Sequence, residues 1–233
     1  MQLRKYQKMI DTDKIRLVRP IIREKIIFDR DKKILEFVEG KSVFHVGCVG
    51  TFENGLSFHN SIKMHTSNCV GVDINEEGLD NLKINDPNLT LILGDVCEEV
   101  FVKKIDDKFD YCLMGEVVEH LQNPGIAIRN IKLLLKEEGK ILITVPNAFS
   151  ITNYFYNLVK KGEMVRTDHV AYYSFQTLNR LVENEGLKLE YFNYYTHLNC
   201  KNYISSKIRN LVKKVLFRAR PNLSDGIFAI YRL

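Results

Sequence analysis

Glycines and acidic residues follow four predicted strands of this 233-residue chain. The first strand ends in the loop Gly47-Cys48-Val49-Gly50, where glycines let backbone amides approach a ligand. Asp73 ends the second strand, 26 residues after Gly47, a spacing suited to an acid that accepts the hydroxyls of a ribose. Gly94-Asp95 and Gly115-Glu116 end the next two strands. This pattern indicates a pocket for an adenosine-bearing cofactor. A simpler explanation of the same residues is that they only form turns and helix caps.

The elements that would position these residues alternate between strand and helix. Apolar runs such as 89–93 and 140–145 are typical of strands buried on both faces, and helix-compatible segments lie between the runs. The chain is therefore predicted to form a parallel sheet with ligands bound beyond the carboxyl ends of its strands. We expect strands at 43–47, 69–73, 89–93, 109–114 and 140–145, and helices near 31–39, 55–65, 76–84, 96–104 and 123–136.

The pattern changes after Pro146-Asn147. A helix is predicted from Ser174, a favourable N-cap, to Glu185, and strands are predicted at 187–195 and 225–232. A further helix near 203–217 lies between these two strands. Its apolar residues recur at helical spacing and form one stripe: Ile204, Ile208, Leu211, Val212 and Val215.

This last helix carries the positive charge of the chain. Seven basic residues and no acidic one lie between Lys201 and Arg220, while the net charge of the whole chain is +5. The helix could pack its apolar stripe on the sheet edge, rest on anionic lipid, or bind the phosphate of a nucleotide-sugar or an RNA. RNA is the least favoured of these, because no aromatic-rich binding signature interleaves the lysines.

The composition limits the class of protein. With 45% apolar and 27% charged residues, the chain can form one domain with a sizeable core, with or without a small cap. Five cysteines without a C-x-x-C pair argue against a structural zinc site or a disulfide framework and favour a reducing compartment. Neither a signal peptide nor a membrane span is predicted, so a cytoplasmic location is expected.

Seven motifs carry a more specific resemblance: 43–50, 71–74, 94–96, 109–121, 134–140, 145–147 and 168–174. Over about residues 40–195 the chain resembles the class I S-adenosylmethionine-dependent methyltransferases. It is most similar to the branch that methylates small molecules, quinone precursors and surface sugars. The resemblance implies an α/β, Rossmann-like, doubly wound sheet of seven strands in the order 3-2-1-4-5-7-6, with the last strand antiparallel. It also implies S-adenosylmethionine as cofactor and S-adenosylhomocysteine as product.

The resemblance implies a set of cofactor contacts at the strand ends. Asp73 would accept the ribose hydroxyls, Asp95 would accept a hydrogen bond from the adenine amino group, and the Val96 amide would donate to the ring. Two residues depart from the family pattern, since His45 stands where an acid is usual and Val49 where a glycine is usual. The predicted cofactor-binding residues are His45, Gly47, Cys48, Gly50, Asp73, Ile74, Asp95, Val96 and Glu116.

His120 and His169 are the predicted catalytic residues, because a hydroxyl acceptor benefits from a nearby base. Each also has a structural explanation, His120 in packing and His169 in organising its loop. Together with Glu116 and Glu119, these histidines resemble the metal site of small-RNA 3′-terminal 2′-O-methyltransferases. The two glutamates share a face only if a helix begins directly after the strand, and no metal is predicted.

Residues 1–40 are predicted to form an N-terminal helical extension or cap. Residues 41–233 would form the methyltransferase domain, with a cap insertion near 148–173 and the basic amphipathic helix near 203–217. The expected function is methyl transfer from S-adenosylmethionine to an oxygen of a small-molecule or glycan-type acceptor. Metal-assisted RNA 2′-O-methylation and cofactor binding without catalysis are the alternatives. An anionic membrane is an expected partner of the basic helix, nucleic acid is not expected, and the oligomeric state stays open.

Overall fold

The structure is a computed structural model that describes residues 18–22, 24, 26–50, 52–53, 56–162, 165–198 and 204–233. Residues 1–17 of the predicted N-terminal extension lie outside this set. Within the extension, helix α1 (Arg30–Val38) begins at Asp29, whose side chain accepts a hydrogen bond from the Lys32 amide. Gly40 follows the helix with a φ of 66°, a conformation that favours glycine. The predicted short helix with a glycine stop is therefore present.

The sheet has the predicted order. The described strands are β1 (Ser42–Val46), β2 (Phe52–Glu53), β3 (Leu56–Ser57), β4 (Asn68–Asp73), β5 (Thr90–Leu93), β6 (Phe109–Gly115), β7 (Leu135–Pro146), β8 (Lys188–Tyr195) and β9 (Gly226–Arg232). Seven of them form one sheet in the order β5-β4-β1-β6-β7-β9-β8, and β2 pairs with β3 separately. Within the seven-stranded sheet, strand β9 is antiparallel to both β7 and β8 and the other pairs are parallel, whereas β2 and β3 pair antiparallel. This is the order 3-2-1-4-5-7-6, so the predicted Rossmann-like fold is confirmed.

Helices connect the strands and are capped by their own polar residues. Ser57 and Asn75 accept hydrogen bonds from amides in the first turns of the helices that follow them, α2 (Phe58–His65) and α3 (Glu76–Asn85). Ser174 forms a capping box with Thr177 at the start of α7 (Phe175–Asn184). The remaining α-helices of the described residues are α2 (Phe58–His65), α3 (Glu76–Asn85), α4 (Glu99–Val102), α5 (Pro124–Ile131), α6 (Ile151–Phe155), α7 (Phe175–Asn184) and α8 (Ile204–Ala219). Helix α6 continues into a π-helical turn over Tyr156–Lys160.

Three predicted helix boundaries were wrong. The helix expected near 123–136 ends earlier, because Leu135 already pairs with Phe109 as the first residue of β7. The helix expected near 55–65 begins at Phe58, because the residues before it form the β2–β3 hairpin. The helix expected near 96–104 is reduced to the single turn of α4. Pairing between strands depends on residues distant in the sequence, so the local spacing of apolar residues does not predict it.

Apolar side chains cover both faces of the sheet. Successive strand residues point to opposite faces, so Phe44 joins one core cluster with Ile128 of α5, whereas Val43 joins another with Ile34 of α1. All four side chains are fully buried. The two layers leave the carboxyl ends of the parallel strands as the free edge on which a site can form.

Helix α8 is present, but its predicted stripe does not pack on the sheet edge. Ile208, Leu211, Val212 and Val215 are exposed, whereas the side chain of Ile204 lies outside the described part of the chain. Phe217, which is not in the stripe, is the fully buried residue among 207–219. The packing explanation of this stripe was therefore wrong. Among the described residues, none of the helices combines the length and the apolar composition that a membrane span requires.

Candidate active site

The pairing of the strands places the predicted strand ends at the same edge of the sheet. The Gly47 amide donates to the Val72 carbonyl at 2.9 Å, and the Gly94 amide donates to the Asp73 carbonyl at 3.0 Å. Val46 is the register partner of Met114, the residue before Gly115. The ends of β5, β4, β1 and β6 therefore lie side by side. One edge of the sheet carries the loop that begins at Gly47, together with Asp73, Gly94-Asp95 and Glu116.

The glycine loop turns sharply after β1. Gly47 and Gly50 adopt left-handed conformations with φ of 72° and 44°, which other residues adopt at a cost. A Cβ at Gly47 would lie 2.5 Å from a methyl carbon of Val117. The Val49 side chain packs at Gly78 of α3, where a Cβ would overlap a Val49 methyl group. Gly78 thus provides the space that lets the loop carry a valine where the family has glycine.

Asp73 holds this loop through its side chain. One carboxylate oxygen accepts from the Val49 amide at 3.0 Å, and the other accepts from the Asn75 amide at 3.0 Å. The neighbouring Ile74 is 74% exposed, an unusual state for a large apolar side chain at the end of a buried strand. A fixed carboxylate beside an uncovered apolar surface fits a ribose with an attached flat base.

Asp95 and Val96 form the third strand end. The Asp95 carboxylate accepts from the Cys97 amide at 2.7 Å, and the Val96 carbonyl accepts from the Asn130 side chain at 3.0 Å. Phe101 of α4 packs directly over Gly94, where a Cβ would overlap its ring. This contact fixes the backbone from which the Asp95 side chain projects.

Three of the predicted contacts have buried side chains: His45, Cys48 and Val96. Burial raises the pKa of the Cys48 thiol to about 12, so the thiol stays neutral and the backbone of Cys48 is the part suited to a ligand. The His45 ring lies against α2, with its Nδ1 3.0 Å from the Nδ1 of His59 and its plane perpendicular to the ring of Phe58. The structure therefore places the His45 ring in a buried pair, and its role as a cofactor contact stays a prediction.

Acid is expected to destabilise the fold through this histidine pair. Burial lowers the pKa of His59 to about 4 and that of His45 well below its ordinary value. The neutral rings therefore stabilise the folded state above the unfolded pKa of about 6.5, and this effect is lost as the pH falls towards 4. For His59 alone, the free energy of unfolding is expected to fall by about 2 kcal/mol between pH 7.5 and pH 5.

Urea unfolding at the two pH values measures this loss. The variant His59→Gln should lose less stability over the same interval, because it carries no titrating ring at this position. The variant His65→Gln, altered on the same helix, should retain the full loss. An unfolding midpoint of the unaltered protein that is equal at both pH values would contradict the expectation.

Glu116 is held by two residues that the sequence did not point to. It adopts a left-handed conformation with a φ of 57°, which is strained for a residue with a side chain. Its carboxylate accepts from the Tyr195 hydroxyl at 2.6 Å and lies 3.8 Å from the Arg30 guanidinium. Tyr195 is buried, and its ring packs over Gly226, where a Cβ would overlap it. Both partners are far from Glu116 in sequence, so no local spacing could have indicated them.

Glu119, His120 and His169 come together beside Glu116. One potential ligand atom from each of these three lies within 4.8 Å of the others. Both carboxylate oxygens of Glu119 and the Nδ1 of His169 are buried without a hydrogen-bond partner among the described residues. Burial and the nearby Glu116 carboxylate raise the pKa of Glu119 to about 8, and burial and His120 lower the pKa of His169. A carboxylate and two imidazoles with unpartnered atoms are a donor set that suits a divalent cation.

The predicted catalytic residues are therefore neighbours. Their rings meet edge to face with centroids 4.6 Å apart, and the His120 Nδ1 lies 3.3 Å from the Asp168 carboxylate. His169 also lines a cavity of about 480 Å³, which Pro146, the last residue of β7, lines as well. The lining also includes Thr152, Asn153, His197, Lys213 and Asp225.

Comparisons with known proteins agree with this fold. The ubiquinone biosynthesis O-methyltransferase of Coxiella burnetii is 28% identical over 161 residues, and the alignment covers 65% of each chain, slightly less than two thirds of that relative. A methyltransferase crystal structure from Archaeoglobus fulgidus, described as SAM dependent, matches with a TM-score of 0.62 at 16% identity, covering 88% of this chain and 91% of that one.

A second solved structure with the same fold contains a bound ligand. The magnesium protoporphyrin IX methyltransferase of Synechocystis PCC 6803, solved with bound SAH, matches with a TM-score of 0.59 at 10% identity and covers 87% of this chain and 81% of that one. The family described as methyltransferase domain matches residues 23–191, which include every strand end of the site. Because this family model matches more than half of the chain, the chain belongs to the methyltransferase domain family.

Proposed function

We propose that this protein transfers the methyl group of S-adenosylmethionine to an oxygen of a small-molecule or glycan-type acceptor. The observation that carries this proposal is the position of His169, which lines the cavity and also belongs to the cluster beside Glu116. A cofactor along the strand ends and an acceptor in the cavity would then meet at His169. The cavity volume of about 480 Å³ is within the range of small-molecule sites.

The strand ends would hold the donor. Asp73 is proposed to accept the ribose hydroxyls, Asp95 the adenine amino group, and Ile74 to contact the face of the base. S-adenosylmethionine, when bound, supplies a methyl group that its sulfonium already activates. The protein therefore has mainly to align the acceptor oxygen, and orientation of this kind can lower a barrier by ~7–11 kcal/mol.

His169 is proposed to take the proton from the acceptor hydroxyl. Its pKa is lowered by burial and by His120, so the ring is neutral and able to accept a proton near pH 7. His120 would orient the neighbouring loop through its contact with Asp168. Transfer to oxygen is supported by the Coxiella burnetii relative, which is named as an O-methyltransferase.

The segments around the cavity are proposed to form its roof. Ile27, within the N-terminal extension, exchanges backbone hydrogen bonds with the end of β8 at Tyr194 and Thr196, and α6 of the insertion near 148–173 contributes Thr152 and Asn153 to the cavity lining. A cap of this kind excludes water from the transferred methyl group. We propose peripheral contact with an anionic membrane through residues 203–217, in a protein of the cytoplasm.

Formation of S-adenosylhomocysteine tests the proposed activity. Purified protein is incubated with S-adenosylmethionine and a panel of phenols, catechols and nucleotide-sugars, and the products are resolved by mass spectrometry. We expect a mass gain of one methyl group on a hydroxyl-bearing acceptor. Tight binding of the cofactor without product across the panel would favour the alternative of a non-catalytic binding module.

A metal-assisted reaction is the second candidate, favoured by the unpartnered atoms of Glu119 and His169. A divalent ion held by Glu119, His120 and His169 would polarise the acceptor hydroxyl. Activity that survives chelation supports the metal-free reaction, whereas loss on chelation and recovery with magnesium or manganese supports the second candidate. Ribonuclease sensitivity of a methylated acceptor would identify the RNA 2′-O-methylation that we do not expect.

A further inference from the structure

The outer face of α8 is apolar and uncovered. Ile208, Leu211, Val212 and Val215 are 57–63% exposed, although they recur at the spacing of a single helical stripe. The buried Phe217 lies on the opposite side of the helix and attaches it to the domain. The exposure of a row of aliphatic side chains to water is unfavourable, and exposed apolar rows commonly mark interaction sites.

The surroundings of this stripe are positively charged. Lys207 and Arg209 are exposed beside it, and no acidic residue occurs between Lys201 and Arg220. Lys213 points the other way, because its ammonium lies 2.8 Å from the Asp225 carboxylate at the cavity. An apolar stripe edged by cations is complementary to an anionic lipid surface, where the stripe enters the acyl boundary and the cations meet the headgroups.

Helix α6 and its π-helical turn present a second stripe of the same kind. Tyr154, Phe155 and Leu158 are exposed by 52%, 54% and 83%, and the exposed Lys160 and Lys161 follow them. No side chain of α6 or of this turn is fully buried. Aromatic and aliphatic residues next to lysines are the composition found at membrane interfaces.

The two helices border one cavity. Thr152 and Asn153 of α6 and Lys213 of α8 all line it, and Thr152 and Lys213 are joined by Asp225, which contacts the Thr152 hydroxyl at 3.4 Å as well as the Lys213 ammonium. Asp225 also accepts from the Thr196 hydroxyl and from the His197 amide at 3.2 Å. This network fixes α6 and α8 relative to the cavity, while their apolar stripes stay outside it.

We propose that α6 and α8 together form a docking surface for an anionic lipid bilayer at the acceptor cavity. This inference rests on the proposed peripheral contact of α8 and adds the second helix and the position of the cavity between them. An acceptor with a lipid tail would then reach His169 from the bilayer surface. A second copy of the chain is a poorer occupant, because an α8–α8 contact would bring basic residues opposite basic residues with no acidic partner.

Vesicle flotation with the full chain tests the docking surface. The protein should float with mixed phosphatidylglycerol–phosphatidylcholine vesicles, and less with pure phosphatidylcholine or at high salt. Leu211→Glu and Leu158→Glu should each weaken binding about tenfold or more, because each removes an inserted side chain and adds a repelled charge. Ile84→Glu, which changes a 77% exposed residue of α3, should bind as the unaltered protein does.

The outcomes separate this inference from the proposed activity. S-adenosylmethionine affinity, measured by calorimetry without vesicles, should be equal in all four proteins, so a failure of methyl transfer would not imitate a failure of docking. Absence of flotation with anionic vesicles would overturn the inference. So would normal flotation of Leu158→Glu, which would remove α6 from the surface. A dimer in solution that Leu211→Glu converts to a monomer would assign the stripe to a second copy instead.

Discussion

Replacing Asp73 with alanine is expected to lower the affinity for S-adenosylmethionine by about 100-fold or more. The carboxylate is the only charged acceptor proposed for the ribose, and hydrogen bonds to a charged group contribute about 1.5–3 kcal/mol each. The same carboxylate accepts from the Val49 and Asn75 amides, so its loss also frees the glycine loop. Titration calorimetry measures the affinity, and thermal unfolding shows whether the variant is folded.

Two further variants sharpen this result. Asp73→Asn keeps one oxygen acceptor and should bind with intermediate affinity. Asp106→Ala removes an exposed acid from a loop remote from the strand ends and should bind normally. Unchanged affinity of a folded Asp73→Ala protein would contradict the assignment of the donor site.

Replacing His169 with alanine is expected to lower kcat about 10²–10⁴-fold while leaving the cofactor affinity unchanged. The imidazole would be the proton acceptor, and His169 lines the acceptor cavity and is not among the proposed contacts to the cofactor. His65→Ala, which changes a histidine of α2 outside the cavity, is the matched control and should retain full activity.

The pH profile adds a second readout for His169. Its pKa is lowered by burial and by His120, so protonation should reduce kcat only below about pH 6.5. This acidic limb should disappear in His169→Ala, leaving a low and flatter rate. Equal kcat values, or an acidic limb that persists in the variant, would show that another group takes the proton.

The sheet could be predicted because its cause is local. Runs such as Leu142-Ile143 are apolar on both faces, and turn residues separate the runs. The alternation of strand and helix can therefore be predicted from the sequence alone. The strand-end residues followed from the same reasoning, since parallel strands end at one edge. In the structure, backbone hydrogen bonds join the loop that begins at Gly47 to the end of β4, and Asp73 to Gly94, so these strand ends are neighbours as expected.

What could not be predicted depends on long-range packing. Tyr195 and Arg30 contact Glu116 across 79 and 86 residues of sequence, respectively. The space for Val49 is provided by Gly78 on another helix, and periodicity does not show which face of α8 would meet the domain. The amphipathic pattern of that helix was visible, but its apolar face lies outward, so the pattern indicated a surface rather than a core.

A crystal structure with bound S-adenosylhomocysteine would test the central claim most directly. We predict the ribose hydroxyls within hydrogen-bond distance of the Asp73 carboxylate, the adenine amino group at Asp95, and the sulfur directed towards His169 and the cavity. An adenosine bound elsewhere, or one that leaves both carboxylates in water, would contradict the account.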